Sequence, residues 1–385
     1  MRLNRIFFLM AGLVSLSPVQ AEDLSYPFDA VLLGDSISTG GGTHPALKFD
    51  TDNLWEVFNG RISAAPDIAH YSPENQALFS GGSLPAPRRL WPTMREFFGG
   101  PDWVYRHLLA TLSQKYLDTE EYSWGYLTAK QLGMNPARLA MAAEDGARMA
   151  SMPRQIDRIL QAGSGRLPAN IFVFYTGNDL CGLDPSLMTT AADYAQHLER
   201  GLMYLARAHA GSGDMSVLNV WVLSFMSMGQ LLDSRDILDK KIFAFGRETT
   251  CAALRKAGYR PETPGLATKV PPDAWYFAMA MPPNPAAFCP TVFMPDRFAG
   301  HSVSTLANRI RDYREAEAKV VAAFHKLSEK NPAGPHSRIR LRHLKATAGL
   351  QFSAEEVGED CFHLSLRGQE KVAKAVADEI RSVSQ

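Results

Sequence analysis

Three polar residues at opposite ends of the chain could between them make an activated nucleophile. Near the amino terminus Val31-Leu32-Leu33 runs straight into Gly34-Asp35-Ser36, followed by Ile37-Ser38 and the glycine run Gly40-Gly41-Gly42. An apolar strand that ends this way puts a serine hydroxyl at the carboxyl edge of a sheet, where α/β proteins bind ligands. Near the carboxyl terminus stands Asp360-Cys361-Phe362-His363-Leu364-Ser365. A serine needs a base to take its proton, and the base needs an anion to fix its tautomer and stabilise its charged form. Asp360 and His363, three apart on one loop, meet both needs if the loop folds back on itself. Of the ten histidines, His363 alone has this setting. Taken singly, Gly-Asp-Ser also reads as a strand-ending turn that caps a helix, and Asp-x-x-His as a capped helix start.

Two further groups lie between. Glu144-Asp145-Gly146-Ala147 and Thr176-Gly177-Asn178-Asp179 each follow an apolar run directly. The N–H groups of Ser36 and Gly146 and the side-chain amide of Asn178 are the donors of a candidate oxyanion hole, which holds the charge that develops on an acyl carbonyl. Each of these segments alone is also ordinary turn chemistry. Cys361, between the acid and the base, is a second possible nucleophile, but it lacks the strand-end position of Ser36. Metal chemistry has little to build on: no His-Glu-x-x-His occurs, and Asp50-Thr51-Asp52-Asn53 opens like a calcium loop but lacks the glycine at its sixth position and the closing glutamate. No cofactor is expected.

The elements that must position these groups follow from periodicity. Short apolar runs predict strands at Phe28–Leu33, Arg138–Ala143, Asn170–Tyr175 and Val217–Leu223. Arg338–Leu344 alternates basic and apolar residues as an edge strand does. Helical patterns cover Tyr122–Leu132, Met152–Gln161, Asp193–His209, Thr305–Lys330 and Arg367–Ser382. The alternation predicts a three-layer α/β/α fold, with a parallel, flavodoxin-like five-stranded sheet and long loop insertions. Two stretches break the rhythm, about 41–119 and 261–300, both rich in aromatic residues, with Trp55, Trp91 and Trp103 in the first and Trp275 in the second. Their aromatic content fits either an acyl-chain pocket or extra core. Residues 22–385 are expected to form a single domain that includes both.

Composition narrows the class. The 385 residues carry 40 basic and 40 acidic side chains, so no strong field points to nucleic acid or to an anionic membrane surface. Arg2 and Arg5, the apolar run Ile6–Leu16 and the small residues of Val19-Gln20-Ala21 read as a bacterial signal peptide over 1–21, too short to span a bilayer. Export to the periplasm or the medium follows, and there Cys181, Cys251, Cys289 and Cys361 are expected to form two disulfides in one of three pairings.

In this order (Gly-Asp-Ser, glycine, Gly-Asn-Asp, Asp-x-x-His) the chain resembles the SGNH/GDSL hydrolases. Gly177-Asn178-Asp179-Leu180-Cys181, the Asp360–Ser365 segment with Gly368, and Gly146-Ala147 followed by Met152-Pro153-Arg154-Gln155 are similar to that family's phospholipase B-like branch. Asp145 ahead of Gly146, and Ile37 where the family name has leucine, are departures. The resemblance implies a carboxylic-ester hydrolase with Ser36 as nucleophile, His363 as base, Asp360 as its orienter, and Ser36, Gly146 and Asn178 as oxyanion donors. It also implies a lipid or phospholipid acyl ester as substrate, with transient contact to a lipid surface. Other outcomes are an acetyl esterase on polysaccharide, an acyltransferase, and a non-catalytic lipid- or glycan-binding protein. Pure binding needs no triad.

Overall fold

The computed structural model describes residues 27–40, 88–89, 123–135, 138–144, 146–182, 184–244, 247–257 and 289–384. The signal segment 1–21 and Asp145 lie outside the described residues. So does most of the two insertions, apart from 88–89 in the first and 289–300 in the second.

The strands, in chain order, are β1 (Ala30–Gly34), β2 (Arg88–Arg89), β3 (Leu139–Met141), β4 (Asn170–Phe174), β5 (Leu218–Leu223), β6 (Lys241–Ala244), β7 (Arg247–Thr250) and β8 (Ile339–Leu344). The helices used below are α1 (Ser36–Thr39), α2 (Trp124–Gln131), α3 (Met152–Ala162), α4 (Ala191–Gly211), α5 (Cys251–Ala257), α6 (Val303–Lys330) and α7 (Leu366–Ser384).

The main sheet is parallel throughout and runs β2-β3-β1-β4-β5-β8. Its five longer strands keep the flavodoxin-like order, with the first strand in chain order between the second and third. The two-residue β2 extends the β3 edge and was not foreseen, nor was the antiparallel hairpin β6–β7. β8 closes the other edge, as its alternating Ile339, Arg340, Leu341 and Arg342 require: the apolar pair is buried and both arginines are exposed.

Continuous apolar runs such as Ala-Val-Leu-Leu in β1 are what a sheet covered on both faces demands, and every β1 residue is buried. On one face Trp124 of α2 packs edge-on against Phe172 and Phe174, and Gly125 lets the helix close onto Leu32. α7 lies beside α2. The other face carries α3, α4 and α6, packed in that succession. Side-chain caps start α2 at Ser123, α4 at Thr190 and α6 at Ser302, each accepting a backbone N–H of the first turn. The sheet's order reverses at β1, so the crevice beyond the carboxyl ends of β3, β1 and β4 is where such folds hold ligands.

Candidate functional site

The chain leaves β1 at Gly34, where a Cβ atom would sit 2.2 Å from the Phe174 carbonyl oxygen and 2.4 Å from Ser38 Oγ. Only glycine fits. Gln155 of α3 clamps that residue from both sides: its Nε2 donates to the Gly34 carbonyl (2.8 Å), and its Oε1 accepts from the Gly34 N–H (3.0 Å) and the Tyr175 hydroxyl (2.6 Å). Asp35 then caps α1, one carboxylate oxygen accepting from Ile37 N–H (3.1 Å), the other from the N–H (2.7 Å) and hydroxyl (2.9 Å) of Thr176. Burial pushes the Asp35 carboxyl up to about 6, against the pull of those hydrogen bonds and of the His363 charge. Asp35 is thus committed to the turn, and it leaves Ser36 at the first helical position, 7% exposed.

The carboxyl-terminal loop meets this serine. Val357 and Leu364 pair across the loop's base, and Gly358 N–H donates to the His363 carbonyl (2.6 Å). Cys361 adopts φ 60°, a left-handed conformation that costs an L-residue roughly 1–2 kcal/mol and turns the chain back on itself. As a result one Asp360 oxygen accepts the N–H groups of Phe362 (3.0 Å) and His363 (2.9 Å). The other is hydrogen-bonded to His363 Nδ1. His363 Nε2 lies 2.8 Å from Ser36 Oγ, across 327 residues of sequence. Burial alone would raise Asp360, but the facing imidazole, its hydrogen bond and the two backbone N–H groups outweigh it and hold the carboxyl below its ordinary value. With Nδ1–H given to this carboxylate, Nε2 is the acceptor for the serine proton.

Gly146 and Asn178 flank the nucleophile turn. Beyond β3, Ala142 and Ala143 donate to the Leu32 carbonyl and Glu144 to that of Gly34 (3.1 Å), which ties the loop to β1 just before Gly146 turns at φ 73°. On the β4 side Thr176 is bonded to Asp35, and Asn178 sits in the next turn, half-buried. Neither the Asn178 side chain nor the N–H groups of Ser36 and Gly146 find a hydrogen-bond partner among the described residues. All three are donors.

Two residues that the sequence did not single out lock these loops together. Asp179, whose buried carboxyl is pushed up to about 6, accepts Met149 N–H (2.9 Å) and the Thr189 hydroxyl (2.7 Å). Arg148 answers across the same gap by donating to the Cys181 carbonyl (2.6 Å).

The disulfides are Cys181–Cys289 and Cys251–Cys361. This resolves the three possible pairings, removes Cys361 as a thiol nucleophile, and indicates an oxidising, extracytoplasmic environment. Each bridge lies beside the site: Cys181 three residues after Asn178, Cys361 between Asp360 and His363. The second bridge joins the acid–base loop to α5. The same loop is held by Lys240, whose ammonium donates to the carbonyls of Val357 (2.6 Å) and Gly358 (3.3 Å) and pairs with Glu359 (3.1 Å).

No protein-family model matches the chain, and no curated protein does. A hydroxyl hydrogen-bonded to a carboxylate-oriented imidazole, with three unused donors on adjoining loops, suits attack on a carbonyl carbon and stabilisation of the resulting oxyanion. Among the described residues no group of three His, Cys, Asp or Glu side chains is arranged to hold a metal ion.

Proposed function

We propose that the protein is a serine carboxylic-ester hydrolase of the SGNH/GDSL type, acting on lipid acyl esters outside the cytoplasm. The observation that carries this reading is the continuous hydrogen-bonded chain from Ser36 Oγ through His363 to Asp360. Ser36 attacks the ester carbonyl carbon while His363 Nε2 takes its proton. The N–H groups of Ser36 and Gly146 and the Asn178 amide receive the charge on the carbonyl oxygen. The tetrahedral intermediate then collapses with cleavage of the ester C–O bond: His363 returns the proton to the departing alkoxide, which leaves as alcohol, and the acyl group remains on Ser36 Oγ. Water attacks the acyl-serine, its proton passing to His363 and from there to Ser36 as the carboxylic acid departs. Asp360 stays ionised throughout, in keeping with its lowered pKa.

An apolar acyl group is in keeping with the side chains buried beside the oxyanion loop. The position a Cβ would take on Gly177 is 3.0 Å from the Phe362 ring and 3.4 Å from Met228 Cε, and the Phe293 ring stands edge-on to Phe362 at 5.1 Å. Apolar surroundings of this kind suit a hydrocarbon chain better than a sugar hydroxyl. The two disulfides and the amino-terminal Arg2, Arg5 and Ile6–Leu16 pattern together support export to the periplasm or the medium.

A chain-length series of nitrophenyl esters tests both parts. The wild type should hydrolyse them, with octanoyl or longer esters preferred over acetyl. Ser36→Ala should lower kcat by at least about 10³-fold while keeping the native circular dichroism spectrum. Retained turnover in that variant removes the mechanism; a sharp acetyl preference removes the lipid.

A further inference from the structure

The chain comes out of the second insertion through Cys289 and a single helical turn, Pro290–Phe293, all of it buried. Three consecutive residues just after Asn178 and Asp179 are fastened to this segment. Thr291, fully buried, uses its hydroxyl twice: Oγ1 donates to the Leu180 carbonyl (2.7 Å) and accepts the Gly182 N–H (2.9 Å). Its own N–H donates to the Gly182 carbonyl (3.3 Å). Cys181, between those two, is bonded to Cys289. The segment is braced in turn. His301 Nε2 donates to the Thr291 carbonyl (2.8 Å), and the Phe293 ring packs edge-on to Phe362 of the acid–base loop at 5.1 Å.

What this clamp holds is the turn that carries Asn178. Leu180 N–H donates to the Gly177 carbonyl (3.0 Å), and Cys181 N–H to the carbonyls of Gly177 (3.1 Å) and Asn178 (3.2 Å). Leu180 and Cys181 thus close the turn with their N–H groups, while the 289–291 segment holds the same two residues by a carbonyl and a sulfur. Asn178 needs that support. Its side chain has no hydrogen-bond partner among the described residues, so the direction of the amide is set by the backbone beneath it. An oxyanion donor acts by being aimed in advance at the place where charge develops, and a misplacement of about 1 Å can cost 100-fold in rate. Valine has the shape of threonine but neither its donor nor its acceptor.

Building on the esterase reading above, we propose that Thr291 is a positioning residue for the reaction: through Leu180 and Gly182 it fixes the turn that aims the Asn178 amide at the substrate oxyanion. The end of the second insertion is then part of what supports the oxyanion hole. The plainer alternative is that Thr291 only anchors the insertion, in which case its loss is felt equally whether or not Asn178 is there.

A double-mutant cycle on the full-length protein separates the two. With Asn178 in place, Thr291→Val should lower kcat on a nitrophenyl ester by about tenfold with KM within about twofold. Thr291→Ser, which keeps the hydroxyl, should stay within about threefold of wild type. In the Asn178→Ala background Thr291→Val should change kcat by less than about twofold. A loss of the same size in both backgrounds overturns the proposal, and so does a wild-type kcat in Thr291→Val. If the valine variant loses the native circular dichroism spectrum, Thr291→Ala, whose vacated space a water can fill, takes its place in the cycle. A spectroscopic arm needs no turnover. In the proton–nitrogen correlation spectrum of isotope-labelled protein, the Asn178 side-chain amide is the pair of signals lost in Asn178→Ala. That pair should move in Thr291→Val and return in Thr291→Ser; a pair that stays in place overturns the proposal. Wild-type protein that hydrolyses no ester while the pair moves would remove the esterase reading and leave the Thr291 clamp standing.

Discussion

At the scale of single residues, chemically similar groups hold unequal tasks. Asp35 and Asp360 are both buried aspartates near Ser36, yet Asp35 spends both oxygens on Ile37 and Thr176, whereas Asp360 keeps one oxygen for His363. Asp360→Asn should therefore cut kcat on a nitrophenyl ester by about 10⁴-fold, the cost of presenting the wrong imidazole tautomer, with KM little changed. Asn178→Ala removes one oxyanion donor and should cost 10²–10³-fold in kcat, roughly 2.7–4 kcal/mol of transition-state stabilisation. Steady-state kinetics on folded variants checks both. The roles of Ser36, His363 and Asp360 were legible in sequence because reactive residues have short local signatures: a strand running into Gly-Asp-Ser, and an acid three residues before a base. Gln155, Thr176 and Asp179 carried a weaker signal, visible only as neighbours of those signatures. Lys240 carried none, since whether a cation is buried or solvated depends on elements far away in the chain.

At the scale of elements, the acid–base loop is held by the segment around β6, β7 and α5 rather than by the sheet. Lys240 grips its base and Cys251 is bonded to its tip. Lys240→Met should leave the Val357 and Gly358 carbonyls and the Glu359 carboxylate without that donor. The expected result is a kcat loss of about tenfold with KM within about twofold, and Lys240→Arg should recover part of it. The double substitution Cys251→Ala, Cys361→Ala should lower unfolding free energy by about 2–4 kcal/mol in urea titrations, as expected when a long closed loop is opened. Strand and helix positions were readable to within a residue or two wherever apolar periodicity was strong, as in β4 and α3. The β6–β7 hairpin was not. Its four-residue strands, Lys-Ile-Phe-Ala and Arg-Glu-Thr-Thr, have too little alternation to stand out, and pairing with each other is what defines them.

At the scale of the whole molecule, two buried carboxyls set the sign of a pH effect on stability. Asp35 and Asp179 titrate at about 6 in the folded protein against an ordinary 3.8, so the folded state binds their protons more tightly than the unfolded chain does. Their contribution to stability is full below the ordinary value and is lost as pH rises through about 6. Asp360 has the opposite sign, but its window lies at and below 3.8. Urea unfolding followed from pH 4 to 7 should thus show this component falling as pH rises, and Asp179→Asn should flatten the profile; a profile unchanged by that substitution would show that Asp179 does not titrate there. The largest-scale feature is topological: a sheet whose order reverses at β1 brings the first and last described loops to one crevice. Alternating strands and helices foretold that sheet, but the contact of its two ends is a property of the folded chain alone. A fluorophosphonate probe reads that contact directly. Peptide mapping of the labelled native protein should place the adduct on Ser36, with the labelling rate falling at least about 100-fold in His363→Ala and vanishing in urea-unfolded protein. An adduct elsewhere, or Ser36 labelled as fast without His363 as with it, would contradict the central claim that this imidazole activates this hydroxyl.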